Sequence, residues 1–339
     1  LETMRRQAGI PPSSHFSHNQ TASWRNILFN QFQDIHGGTC IQSADTSILA
    51  QSGHAEYLAE SSMEENLHRL ARQVDTSWAE KGVLFLCNPL PFGPMVMDCE
   101  NLTATVSLPA WGYRAFSLAE GKAPKARVWK NPPFKTNGKA PGLTRLLNNR
   151  GENLLSQSIR FQVYEDSGDT WGHKLDEYQT VLGEPRLLDT KTVVQGPLVK
   201  IVRQNFRWKN SLITAFYTAW NGRPEIEIQL RIRWNEPREL FRILLPTRLA
   251  QPQVRVAEPG GVTPRRSDGW EKPASEWVAL EGTLGSGKRS IGLLADRPLS
   301  YFAHEGTIGV SLVRSSYYAH HPPQSPAPAP HNPSLEMGE

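Results

Sequence analysis

Cysteine is scarce in this sequence, long apolar runs are missing, and no block of like charge occurs. Three cysteines, Cys40, Cys87 and Cys99, stand in 339 residues. The number is odd and no pair has metal-ligand spacing, which argues against a disulfide scaffold and a thiolate metal site. The expected state is reduced, semi-buried thiols in a cytoplasmic protein, with a Cys87–Cys99 bridge as the alternative. No apolar stretch is long enough to span a bilayer, so a soluble chain without a membrane partner is expected. No signal peptide is visible at the Leu1 end. The formal net charge is only +4, and without a Lys/Arg run it argues against a nucleic-acid partner. Asn19-Gln20-Thr21 and Asn101-Leu102-Thr103 match the glycosylation pattern, but chance often supplies so short a match.

Aromatics, by contrast, are plentiful. Ten tryptophans suit a sugar binder, because indole faces stack on pyranose rings, and suit a β-sandwich core equally well. The length predicts two or three domains. Trp24, Ile27, Leu28, Phe32 and Ile35 recur at spacings of three and four, which predicts a helix over 22–35 with one apolar stripe. Gly37-Gly38 stops that helix and Thr39 can cap the next. Polar residues crowd the break: Asn30, Gln31, Gln33, Asp34 and His36. A second helical region is expected over 39–78. Ile41, Ala44, Ile48 and Leu49 would form its first stripe; Gly53 would interrupt it; Leu58, Met63, Leu67, Leu70, Ala71 and Val74 would continue it. Residues 1–80 therefore read as a helical bundle.

From residue 81 the character changes. Val83-Leu84-Phe85-Leu86-Cys87 is a short strand run stopped by Asn88-Pro89, and residues 81–120 read as a small β module. Residues 121–141, rich in Lys, Pro, Asn and Gly, read as a linker. Residues 142–339 are strand-like almost throughout. Strands are expected at 160–164, 192–208, 211–218, 225–234, 241–245, 253–256, 276–280, 290–294 and 307–314. Residues 225–234 alternate apolar and polar, as an antiparallel strand with one wet face does, and Asn221-Gly222 just before them is a hairpin signal. The predicted fold class is α+β: a helical bundle, a small β module and a large antiparallel β-sandwich. Gly282-Thr283-Leu284-Gly285-Ser286-Gly287-Lys288-Arg289 nearly matches a phosphate-binding loop, but Arg289 replaces the Ser/Thr and strands flank it. A hairpin is expected there.

Two places carry candidate chemistry. The first is Gln33-Asp34 with His36. Zinc prefers imidazole, thiolate or carboxylate, and an amide oxygen is a poor ligand. His36 would be a substitute donor; otherwise these residues cap a helix end. The second is the loop Tyr164-Glu165-Asp166-Ser167-Gly168-Asp169-Thr170-Trp171-Gly172-His173. Carboxylates beside an indole suit sugar binding, while a polar hairpin tip or a calcium loop are the alternatives. A retaining glycosidase needs two carboxyls roughly 5–5.5 Å apart across the bond, which two acids of one loop rarely achieve. His320-His321-Pro322-Pro323 has the composition of a metal tract, and 322–333 reads as a Pro-rich loop.

One motif carries a resemblance. Trp24…Leu28-Phe29-Asn30-Gln31-Phe32-Gln33-Asp34-Ile35…Gly38-Thr39 resembles Trp-x-x-x-Leu-Phe-Asn-Gln-Phe-His-Asp-Ile-x-x-Gly-Thr, a hallmark of the family 38 glycoside hydrolases, the retaining α-mannosidases. Segments at Asn88-Pro89-Leu90, Pro109-Ala110-Trp111-Gly112-Tyr113, 166–173 and 314–322 are similar to that family too. The resemblance implies a zinc enzyme acting on α-mannosides, with carbohydrate as partner. Gln33 stands at the place of a zinc-binding histidine. Asp34, Asp169, Thr170, Trp171 and Arg314 would face the sugar. The nucleophile would come from an N-terminal catalytic barrel missing here, so no residue of this chain is expected to be catalytic. Leu335-Glu336-Met337-Gly338-Glu339 stands where the family has a further motif, so the resemblance implies an excerpt of a longer enzyme. The alternative is a non-catalytic carbohydrate-binding or scaffold protein derived from that family.

Overall fold

The computed structural model describes residues 6, 8–12, 15–36, 42–80, 82–90, 95–99, 102–106, 108–117, 132–172, 175–196 and 199–317. The expected break at Gly37-Gly38 and Thr39, most of the linker, His173 and the His320-His321 tract lie outside them. The chain divides into two compact units, Leu1–Arg127 and Val128–Glu339.

In the first unit, helix α1 spans Phe16–Phe29, a short α2 spans Gln33–His36, and α3 spans Gln42–Ala71. Helices α1 and α3 run antiparallel. Ser23 Oγ donates to the Ala55 carbonyl at 3.0 Å, and Asn26 Nδ2 meets His54 Nδ1 at 3.2 Å. The seam is made of small and polar residues. Phe16, Ser23 and Asn30 are buried on one side; Ala55, Ser62, Asn66 and Leu70 are buried on the other. Small side chains let the two backbones approach closely. The expected stripe is therefore not the packed face. Trp24 is 59% exposed and Phe32 61%, and Ile27 and Leu28 are exposed as well. At about 100° per residue Trp24, Ile27 and Leu28 lie about 40–140° round from the Ser23 line, and Phe32 lies beyond the end of α1. Gly53 does not interrupt α3: no atom lies within 4 Å of where its Cβ would be, so it sits on the open side of a continuous helix. Beyond the helices, Val83–Asn88 pairs antiparallel with Gly112–Ser117, and Met95–Cys99 with Leu102–Val106.

The second unit is antiparallel β structure built from three larger sheets. Arg186–Gln195, Val199–Trp208, Ser211–Trp220 and Ile226–Arg233 form a meander. The single strand expected over 192–208 is two, turned at Gly196, whose N–H donates to the Val199 carbonyl; Pro197, with no N–H to give a ladder, already stood against a continuous strand. A six-stranded sheet runs Lys272–Ala274, Leu299–His304, Thr307–Arg314, Glu239–Pro246, Arg160–Glu165, Val181–Gly183. A four-stranded sheet runs Gly261–Arg265, Ala250–Glu258, Trp277–Leu284, Gly287–Leu294. Leu284 pairs with Gly287, so the near phosphate-loop motif is a hairpin. Ile226–Arg233 alternates half-buried and exposed residues as the sequence pattern predicts. All residues of Glu239–Pro246 are buried, including Arg242. The end of the expected linker is structured. Phe134–Asn137 pairs with Ala140–Leu146, and Phe134 and Leu143 are fully buried in the core of this unit. Trp234 stacks on Phe241 at 5.3 Å and donates from Nε1 to the Glu236 carbonyl at 2.9 Å. Its place is sheet packing.

Candidate functional site

The loop after Arg160–Glu165 is held by a buried ion pair. Asp166 is completely buried. Arg314, at the end of Thr307–Arg314, reaches it with Nε at 2.8 Å and Nη2 at 3.3 Å. The same Nη2 donates to the Asp169 carbonyl at 2.7 Å. One guanidinium thus fastens two points of the loop, the planar fork matching a carboxylate on one side. Asp166 Oδ1 also accepts the Gly168 N–H at 3.0 Å. Gly168 packs tightly here: a Cβ would stand 3.0 Å from Leu175 Cδ2 and 3.1 Å from Arg314 Nη2, and those side-chain ends would have to shift. Tyr178 is hydrogen-bonded to Arg314. Burial first, then the Asp166 charge, pushes its phenol above the ordinary tyrosine range.

At the loop tip, Asp169 Oδ1 accepts the N–H groups of Trp171 at 2.9 Å and Gly172 at 3.1 Å. This is the local turn that aspartate favours, and Gly172 completes it at φ +62°. Thr170 donates its N–H to the Tyr317 carbonyl at 2.8 Å and is buried, whereas Trp171 is 48% exposed. The structure therefore brings Asp169, Thr170, Trp171 and Arg314 together. Trp171 is the exposed member, and Arg314 closes on the loop. Asp166, which holds the assembly, was legible only as one of several loop acids; its partner lies 148 positions away. A calcium loop is not what forms, because the carboxylates of Asp166 and Asp169 turn to guanidinium and backbone donors rather than to a shared point.

Gln33 and Asp34 open α2 in the other unit, and both are exposed. His36 ends the same helix. Among the described residues no three of His, Cys, Asp or Glu gather as metal ligands. With an amide at position 33, these residues do not fit a zinc site of their own. Cys87 is a free thiol that burial pushes up in pKa, the condition of an inert structural cysteine. No helix among the described residues is long and apolar enough to cross a membrane.

The class is thus a helical unit joined to a large β-sandwich that displays an indole on an ion-paired loop. The family model for the glycosyl hydrolases family 38 C-terminal domain matches residues 134–329. The chain belongs to glycosyl hydrolase family 38. In structure it is similar to a protein in that family from Enterococcus faecalis, with a TM-score of 0.65 and 12% identity over 94% of this chain and 51% of the other. It is also similar to an α-mannosidase from Enterococcus faecalis V583, with a TM-score of 0.61 and 12% identity over 94% of this chain and 49% of the other. At this identity the likeness concerns the fold. The chain spans about half the length of these structures. No curated protein matches it.

Proposed function

We propose that this chain is the non-nucleophilic part of an α-mannosidase that removes terminal α-linked mannose from glycans or mannosides. The observation that carries the reading is the clasped loop of residues 166–172 on a family 38 C-terminal domain. It sets an exposed indole beside acids on a rigid support, the combination that pyranose rings bind. Arg314 is the clasp, Trp171 the stacking face and Asp169 a neighbouring acceptor. Asp34 would meet sugar hydroxyls from the helical unit. The Asp166 carboxylate and Asp169 Oδ1 are committed to the loop's own contacts. By resemblance to the family, the nucleophile and proton donor would belong to a catalytic barrel in the same gene product. Zinc would rest on ligands of that barrel, with Gln33 adding little.

The test is turnover of p-nitrophenyl α-mannoside. The purified chain should show none. The whole gene product should turn it over, and Asp34→Ala or Trp171→Ala should lower kcat/KM at least about tenfold. Turnover by this chain alone, abolished by Asp34→Ala, would overturn the division of labour.

Gln33 favours a second reading, a non-catalytic carbohydrate-binding or scaffold protein that has lost its metal. A whole gene product that binds mannobiose without zinc, and never turns over the mannoside, would decide for it.

A further inference from the structure

Another concave surface adjoins the clasped loop, entirely within the β unit. It is a cavity of about 460 Å³ between Glu165, Ser167 and residues 175–180 on one side and the turn carrying Trp270 on the other. That volume falls within the range of small-molecule sites. Glu165, Ser167, Asp176, Glu177, Tyr178 and Trp270 line it. Trp171, the loop-tip residue, does not belong to this lining.

Trp270 is 52% exposed, yet its backbone is held at every step. Gly269 takes φ +84° and donates its N–H to the Ala303 carbonyl at 3.0 Å. Trp270 N–H donates to Asp268 Oδ1 at 3.2 Å. Glu271 N–H donates to the Asp176 carbonyl at 2.8 Å, which ties the tryptophan turn to the opposite wall. The Glu271 side chain is anchored below. It pairs with buried Arg242 and accepts hydrogen bonds from Ser300 at 2.6 Å and Ser311 at 2.7 Å. Arg242 in turn sits among the rings of Tyr164, Tyr178 and Phe302, at 4.7, 4.9 and 4.8 Å. Tyr178 therefore belongs both to this buried cage and to the cavity wall. The backbone of the platform is pre-organised by these bonds and by the charged network that anchors Glu271.

The chemistry of the lining selects the ligand class. Three acidic residues, Glu165, Asp176 and Glu177, line the cavity, Glu177 Oε1 already accepting from Gln179 Nε2, and no Lys or Arg lines it among the described residues. An indole face takes the C–H side of a pyranose. The space is far larger than a bare metal ion needs.

We propose that this cavity is a second carbohydrate subsite, which takes a neutral hexopyranose unit of an oligosaccharide against Trp270. It goes beyond the mannosidase reading and does not require it: substrate turnover reports the loop tip, whereas the Trp270 indole reports the cavity. The experiment is a titration of the full chain, with its indole nitrogens labelled with 15N, by mannotriose. The expected result is a saturable shift of the resonance that Trp270→Phe identifies. Trp270→Ala should weaken binding by about tenfold, the order set by one aromatic contact. Glu177→Gln, which keeps the shape, should weaken it by a similar factor and covers the case in which Trp270→Ala does not fold. No shift of the Trp270 resonance up to about 50 mM mannotriose, far above a useful site's dissociation constant, would overturn the proposal. So would a shift produced by putrescine and not by mannotriose, which would make the cavity a cation site.

Discussion

The two units bury opposite kinds of side chain. In the β unit the largest residues are inside: Trp234, Tyr217, Tyr301, Phe134, Phe206 and Phe241 are each below 2% exposure. In the helical unit the α1–α3 seam is mostly Ser23, Asn30, Ala55, Ser62 and Asn66, with Phe16 and Leu70 buried beside them, while Trp24, Phe29 and Phe32 stay outside it. The β unit draws its stability from a packed aromatic core and a few buried charges. The helix pair is held by close backbone approach and hydrogen bonds, and its apolar stripe contributes little to that contact. The difference teaches that amphipathic periodicity identifies an apolar face without saying which face meets the neighbouring helix.

The largest test of this contrast is Arg242→Ala. It would remove the cation from a buried pair and leave the Glu271 carboxylate with the Ser300 and Ser311 hydroxyls. We expect a loss of about 3–5 kcal/mol, the scale for breaking a buried pair from one side. It should be read as a lower midpoint in the near-ultraviolet signal of the packed tryptophans, with helical content before the transition unchanged. A loss under about 1 kcal/mol would place the core's stability elsewhere.

A smaller effect tests the helices. Trp24→Ser and Phe29→Ser should each change stability by no more than about 0.5 kcal/mol, as exposed positions do. Ellipticity at 222 nm against denaturant measures it. Losses of about 2 kcal/mol or more would mean that the stripe is covered in solution, and the contrast between the units would fall.

The smallest effect is electrostatic and belongs to the surface of the β unit. Hydrogen bonds from Arg289 and then Asn148 hold the Glu152 carboxyl down to about 2, against an ordinary value of 4.5. Because the folded pKa lies below the unfolded one, the stabilisation is complete above the unfolded value. It is lost as pH falls through that window toward about 2. The unfolding midpoint should therefore slope downward between these pH values, and Arg289→Ala should flatten the slope slightly. An unchanged slope in that variant would show that the pair is solvated away.

Legibility followed the range of the interactions. Ile226–Arg233 alternates, and Leu284-Gly285-Ser286-Gly287 turns, for reasons contained in a few neighbouring residues. Both are readable without coordinates. Asn137-Gly138 is also a local turn signal, yet a Lys- and Pro-rich stretch hid it, and only the burial of Phe134 shows that residues 134–146 are a core hairpin. The candidate site was half legible. Acids, glycines and Trp171 stand side by side in the chain. The roles of Asp166 and Arg314 do not, because a buried ion pair is defined by desolvation and by a partner brought from far along the sequence. Tyr178 gave no local signal and neither did the cavity, since it joins segments about ninety residues apart.

The residue pattern was sufficient for the class of fold, for most strands, and for the family, whose C-terminal domain matches residues 134–329. These rest on period-two alternation, turn residues and a long motif, all local properties of the chain. Which helix face is packed, which acid is buried, which arginine serves as a clasp and which indole edges a cavity were settled by folding. Each depends on what distant segments exclude water from, and that is a property of three-dimensional contact rather than of neighbours in sequence.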